Sequence, residues 1–200
     1  NNKRVPITAV RRLERIGRDM GKRKTAELEA EQAVMERCRL TLEAGTPLRT
    51  LDLSPDELRL LRGFTFFTLK PMLVVLNAGE DDAADLEGAI HRAGLTPWRS
   101  QPRVGVSAVC ATLEEEVSRL NPDDQAAFLA DLGLPDRALD RLLREAYALL
   151  GLISFLTAGE DECRAWSIVR GTTASKAAGV IHSDFERGFI RAEVVPWQEL

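Results

Sequence analysis

The chain is poor in the residues that hold metals and crosslinks. It has 3 cysteines, Cys38, Cys110 and Cys163, and 2 histidines, His91 and His182. The wide cysteine spacing excludes a compact metal motif, and an odd number argues against a full disulfide framework. Neither histidine has a ligand partner at helical spacing, so no structural metal is expected. No apolar run approaches the ~20 residues of a membrane-spanning helix, and the first residues lack the apolar centre of a signal peptide. A reducing, cytoplasmic setting without membrane contact is the expectation. No internal repeat or low-complexity tract occurs. Most consequentially, the sequence contains no G-x-x-x-x-G-K-[ST] loop, whose amides cradle phosphates and whose Lys and hydroxyl hold phosphate and Mg2+. The nearest approach is Gly17-Arg18-Asp19-Met20-Gly21-Lys22-Arg23. It has three residues between its glycines instead of four, Arg23 in place of the hydroxyl, and a position between two helices instead of after a strand.

What is present suffices for a core. Hydrophobic residues make up 44% of the 200 and charged residues 29%, which suits one large globular domain or two small ones. The net charge of −4 gives no overall affinity for polyanions, but the charge is unevenly spread. The first 24 residues hold nine Lys or Arg against only Glu14 and Asp19. Such a basic helical arm is either a nucleic-acid footprint or a solvated helix face. Arg11, Arg15, Arg18 and Lys22 recur at three- and four-residue steps, so they can share one face.

The chain reads as an α/β section joined to an α+β section. Pro6 suits a helix start, and Ile7, Val10, Leu13, Ile16 and Met20 form a helical stripe. Gly21 is placed as the break, followed by a second helix from Lys22 to Ala44 that Gly45 stops. This predicts an antiparallel helical hairpin, a small coiled-coil arm, with two helices packed on a globular body as the alternative. Ser54 is placed as an N-cap, with Pro55 at the first helical position and Asp56 and Glu57 at the positive end. The apolar run Met72–Leu76 predicts a strand buried on both faces. A helix over Asp82–Ala93, a strand over Val104–Ala108 and helices over Leu113–Asn121, Pro122–Asp131 and Asp136–Leu150 complete the α/β part. The last fifty residues predict strands at Leu152–Leu156, Cys163–Val169 and Phe189–Val195. A short helix through Ala177–Ile181 is capped by Thr172 or Thr173.

In open α/β sheets ligands sit beyond the carboxyl ends of the strands. Asn77 and Ser107 fall at two such ends. A carboxylate accepts both the N1–H and the exocyclic amine of guanine, as the Asp of an Asn-x-x-Asp loop does in GTP-binding folds. Adenine presents an amine donor beside an acceptor, so one carboxylate cannot satisfy both positions. Asn77-Ala78-Gly79-Glu80, with its longer side chain, therefore reads as a base loop poor for guanine and better for adenine. The alternative is a capped strand-to-helix turn. Trp166 and Phe185 are assigned to a β core and His182 to a cap or a pairing with Asp184. Glu114-Glu115-Glu116 is assigned to an exposed helix face and Cys110 to a buried thiol.

Several of these segments together carry a resemblance. Thr68-Leu69-Lys70-Pro71 precedes Leu73-Val74-Val75-Leu76-Asn77, and Val106-Ser107-Ala108 precedes Leu113-Glu114. Leu149 to Gly159, Arg164-Ala165-Trp166, Gly171-Thr172-Thr173-Ala174 and Ile181 to Val194 follow. Over nearly the whole chain they resemble the YchF/Obg-like ATPase family of P-loop, translation-associated proteins. The resemblance implies a helical arm over 1–45, the later part of a nucleotide-binding P-loop α/β domain over 46–148, and the start of a β-grasp TGS module over 149–200. It implies base contacts from Asn77, Ala78, Gly79, Glu80, Ser107, Ala108 and Val109, and a ribosome or ribosomal RNA as partner. The family usually has a larger residue and a Ser where Ala78 and Gly79 stand, and a Lys where Val109 stands, so the aliphatic Lys stem is missing here. It also places the phosphate loop and switch segments upstream of the arm. The chain is therefore expected to be the later part of a hydrolase that uses ATP, or GTP less well, with Mg2+. Base contacts without phosphate contacts give little affinity, so no catalytic residue is assigned and no nucleotide is expected to bind this chain tightly. A module that binds RNA or the ribosome with no nucleotide function of its own is the second reading.

Overall fold

The structure, a computed structural model, describes residues 7–134, 136–159 and 162–199. The chain divides into two compact units. The first runs to Val74 and includes Gly94–Val104; the second holds Val75–Ala93 and Gly105 onward.

The first unit begins with the helices α1 (Ile7–Lys22) and α2 (Ala26–Glu43). Their apolar stripes meet: Ala9 and Ile16 of α1 and Val34, Met35 and Cys38 of α2 are buried in one cluster. Between the helices, Arg12 of α1 makes two 2.6 Å hydrogen bonds to the Glu31 carboxylate of α2. Gly21 does not break the chain, as the sequence suggested. Helical bonding continues through it, with the Arg23 N–H donating to the Asp19 carbonyl at 3.0 Å. A helical glycine costs only about 1 kcal/mol. The reversal falls instead at Arg23-Lys24-Thr25, where Thr25 Oγ1 accepts from the Leu28 N–H at 3.3 Å and starts α2. Gly45 ends α2 at a φ of 75°, a region glycine enters without strain.

Beneath the hairpin, α3 (Pro55–Leu61) has a capping box. Ser54 Oγ accepts from the Glu57 N–H at 3.2 Å, and Glu57 Oε2 accepts from the Ser54 N–H at 2.8 Å. The other Glu57 oxygen pairs with Arg37 of α2, tying cap to hairpin. Leu48 and Leu61 are buried in the same cluster as Ile16.

Strand β1 (Met72–Asn77) leads through a 3-10 turn (Glu80–Asp85) into α4 (Leu86–Arg92) and returns in β2 (Val104–Val109). The Met72 N–H donates to the Arg103 carbonyl and the Ala78 N–H to the Val109 carbonyl. Both partners advance together along the chain, so the pair is parallel. The helix expected from Asp82 starts later because Asp85 is the N-cap, accepting from the Gly88 N–H at 2.9 Å. That bond, with Arg92, holds the Asp85 carboxyl below its ordinary pKa. Strand β1 is not buried on both faces: its apolar residues are partly exposed, and Val75 is 42% exposed. β2 is its only sheet partner among the described residues, which leaves it uncovered.

The second unit continues with α5 (Ala111–Ser118), α6 (Pro122–Asp131) and α7 (Ala138–Leu150). Gly151, at a φ of 67°, turns α7 directly into β3 (Leu152–Ala158). β3 pairs antiparallel with β4 (Cys163–Val169), with Phe155 opposite Trp166. Then come α8 (Ala174–Ile181), with Thr173 at its N-cap, and α9 (Ser183–Arg187), which the sequence reading missed. His182 separates them as the N-cap of α9, its Nδ1 accepting from the Asp184 N–H at 3.2 Å. The strand expected over Phe189–Val195 does not form; the segment is irregular, with Ile190 and Val194 almost fully exposed. A strand needs a paired edge, and among the described residues none is beside it. The assignment of Trp166 and Phe185 to a core fails in the same region. Trp166 is only half-buried, its Nε1–H donating to Thr157 Oγ1 at 3.0 Å, and Phe185 is exposed.

Candidate functional site

The two segments singled out as a base loop meet at the carboxyl end of β1 and β2. Asn77 closes β1, and its side-chain oxygen accepts from the Ala111 N–H at 3.1 Å. Ala78 donates its N–H to the Val109 carbonyl at 2.7 Å. Gly79 starts the 3-10 turn, and its carbonyl accepts from the Asp82 N–H at 3.1 Å. Glu80 is exposed at the head of that turn. With its oxygen accepting from Ala111, the Asn77 amide keeps its NH2 as a donor, and Glu80, three residues on, carries an exposed carboxylate acceptor.

Ser107 and Ala108 lie at the end of β2, as the sequence suggested. They belong to the strand, which runs on through Val109, and both are buried. Val109 is half-buried. The strand runs one residue past Ala108 because the Ala78 N–H bonds to the Val109 carbonyl, and its end is also held from outside: Arg141 of α7 donates from Nη2 to the Ala108 carbonyl at 2.9 Å. Arg141 was not found by sequence reasoning, since nothing local distinguishes it from Arg144 on the same helix. Glu114 is a correction. It is not part of an exposed face; its Oε1 accepts from the Ala138 N–H at 2.6 Å, capping the first turn of α7 from α5. Glu115 and Glu116 are exposed.

Cys110, next in the chain, is buried, as is Cys38, while Cys163 is exposed. Burial pushes the Cys38 thiol pKa up, and its reactive thiolate is correspondingly scarce. Titration of the native chain with a thiol reagent is expected to show one fast thiol, Cys163. The other two should react only on unfolding.

The basic residues singled out in the sequence lie on α1, in the first unit. Arg11, Arg15, Arg18 and Lys22 are all exposed, and none has an ion-pair partner among the described residues. Arg12, between them in sequence, points the other way, to Glu31. No helix among the described residues is long and apolar enough to cross a membrane.

Residues 152–200 match the family described as YchF-GTPase_C, protein of unknown function (DUF933). The "Ribosome-binding ATPase YchF" of Bacillus subtilis is 35% identical, over 96% of this chain and 52% of its own length. The protein of the same description from Pasteurella multocida is 38% identical, over 96% and 51%. The chain belongs to the YchF family. It spans about half the length of the curated relatives it matches. The structure of the Schizosaccharomyces pombe YchF GTPase superposes with a TM-score of 0.69 at 26% identity, covering 93% of this chain and 52% of that one. The mixture of helices with small sheets is thus that of a YchF fold. Within it, the β3–β4 pair, α8, α9 and the irregular tail fall in the segment matched by the YchF family description.

Proposed function

We propose that Asn77–Glu80 and Ser107–Val109 form one side of a purine-base pocket in a YchF-like, nucleotide-dependent switch. The observation that carries this reading is the double link between the segments, Ala78 N–H to Val109 and Ala111 N–H to Asn77. It sets both at the same end of a parallel pair, where α/β folds place ligands. The residues fit an adenine. Glu80 supplies an acceptor for the exocyclic amine, and the Asn77 NH2 supplies a donor for a ring nitrogen. Ser107 and Ala108, buried in β2, position the backbone instead of contacting the base through their side chains. ATP is the preferred nucleotide and GTP the weaker one. Its phosphates and Mg2+ belong to a phosphate loop that these 200 residues do not contain. In this reading residues 1–45 are a coiled-coil arm, 46–148 the later part of a nucleotide-binding domain, and 149–200 the start of a TGS β-grasp module. The protein works in the cytoplasm.

The test is titration of the chain with ATP, followed through backbone amide shifts. Base contacts alone support a Kd of ~1 mM, equivalent to about −4 kcal/mol. Shifts are expected at Asn77–Glu80 and Val109 at such concentrations, smaller with GTP, and without a micromolar calorimetric signal. Shifts located elsewhere would sink the base-loop reading, and a micromolar signal would sink the assignment of the phosphates to a missing loop.

A second reading is favoured by the unpaired cations of α1. Arg11, Arg15, Arg18 and Lys22 form a surface for RNA phosphates, through which the chain engages the ribosome or ribosomal RNA.

A further inference from the structure

Helix α7 holds two different elements by its two ends. Near its start, Arg141 donates to the Ala108 carbonyl at 2.9 Å, and Glu114 caps Ala138 at 2.6 Å. Two turns later, the Tyr147 hydroxyl lies 3.0 Å from the Ser167 hydroxyl of β4. Tyr147 follows Arg141 by six steps along the helix, a rise of about 9 Å. Gly151 then joins α7 to β3 with no intervening loop.

Arg141 is well placed for a specific task. Its own helix supplies no carboxylate within hydrogen-bond range; Asp136, just before the helix, stands 3.7 Å away and is engaged by Arg144. A guanidinium donating to a main-chain carbonyl fixes that carbonyl's direction. The carbonyl belongs to Ala108, one residue before the acceptor of the Ala78 bond and three before Ala111, whose N–H holds Asn77. We propose that Arg141 is a positioning residue for the joined ends of β1 and β2, and that α7 relays the placement of the β3–β4 sheet to them. A shift of β4 pulls on Tyr147, turns α7, and moves the Ala108 carbonyl with the two bonds beyond it. The inference rests on the base-loop reading for its functional consequence, which is that the C-terminal sheet adjusts the base pocket.

Amide hydrogen exchange of the whole 200-residue chain tests it without nucleotide, so its outcome is separate from that of the ATP titration. In Arg141→Met, exchange at Ala78 and Ala111 should quicken roughly tenfold to a hundredfold, the range for loss of a charged hydrogen bond. The amides of Phe155 and Trp166 in β3–β4 should stay unchanged. Arg141→Lys, which keeps one charged donor, should recover most of the protection. Ser167→Ala touches neither segment, yet should quicken Ala78 and Ala111 about threefold, the lower range for a neutral hydrogen bond. Unchanged exchange at Ala78 and Ala111 in Arg141→Met, or an equal rise across all amides of the second unit, overturns the positioning role. An effect of Ser167→Ala that stops within β3–β4 overturns the relay. Should Arg141→Met fail to fold, the Lys and Ser167 variants decide both points.

Discussion

Replacing Arg11, Arg15, Arg18 and Lys22 together with alanine should lower affinity for ribosomal RNA by roughly a hundredfold to a thousandfold at low salt. The four side chains are exposed and unpaired among the described residues. Removing them therefore breaks no internal ion pair, and the hairpin core beneath stays intact. Each phosphate neutralised by a Lys or Arg releases condensed counterions, so the dependence of log affinity on log salt is a count of contacts. The slope should become shallower by roughly 3 units, with about 0.7–0.9 from each cation. Filter binding across a salt series reads both quantities. Equal slopes for the two proteins would show that these cations form only a solvated face. Arg12→Ala is the informative contrast. It removes one more positive charge but also strips Glu31 of its bidentate partner, so it should cost stability while leaving the slope nearly unchanged.

Ile16→Ala should destabilise the first unit by about 2–5 kcal/mol. Ile16 is fully buried in one cluster with Met35, Cys38 and Leu48, and a smaller side chain there leaves a cavity that a packed core fills only in part. Met35→Leu, which conserves volume, should cost less than about 1.5 kcal/mol. Urea unfolding followed by far-ultraviolet circular dichroism measures both. The two values must be compared at equal slope with denaturant, since two compact units need not unfold in one step. A loss below about 1 kcal/mol for Ile16→Ala would mean that the hairpin core is looser than its full burial indicates.

Much of the fold was legible because local chemistry dictated it. The hairpin stripe, the Ser54-Pro55-x-Glu57 cap and the helix stop at Gly45 are short-range signals, and each appears where the spacing put it. The bounds of α6 and β4 were read correctly for the same reason. Errors gathered where tertiary partners decide. Gly21 looked like a break, but a glycine breaks a helix only when a better start lies next to it, and Thr25 supplied that start four residues on. Phe189–Val195 alternates like a strand, yet alternation is only half of what a strand requires; the other half is a neighbour. Phe185 and Trp166 were read as core from their chemistry, yet Phe185 is exposed and Trp166 only half-buried, because burial is set by what packs on a residue and not by its type. At the candidate site, Asn77 was found because an amide ending an apolar run is conspicuous. Arg141 and Glu114 were not, because one acts on a main-chain carbonyl 33 residues away and the other on an amide 24 residues away. No sequence pattern encodes such contacts.

The Arg12–Glu31 fork has a mechanical consequence for the hairpin. Sliding α1 along α2 by one turn, about 5.4 Å, would part both of its 2.6 Å bonds and shift Ile16 within the buried cluster it shares with Met35 and Leu48. Intermediate positions recover neither. The two helices thus resist shear and bend as one beam. At the far end from the Arg23-Lys24-Thr25 tip, the Glu57–Arg37 pair ties α2 to α3, so a load on either helix of the hairpin is shared with the cap beneath it.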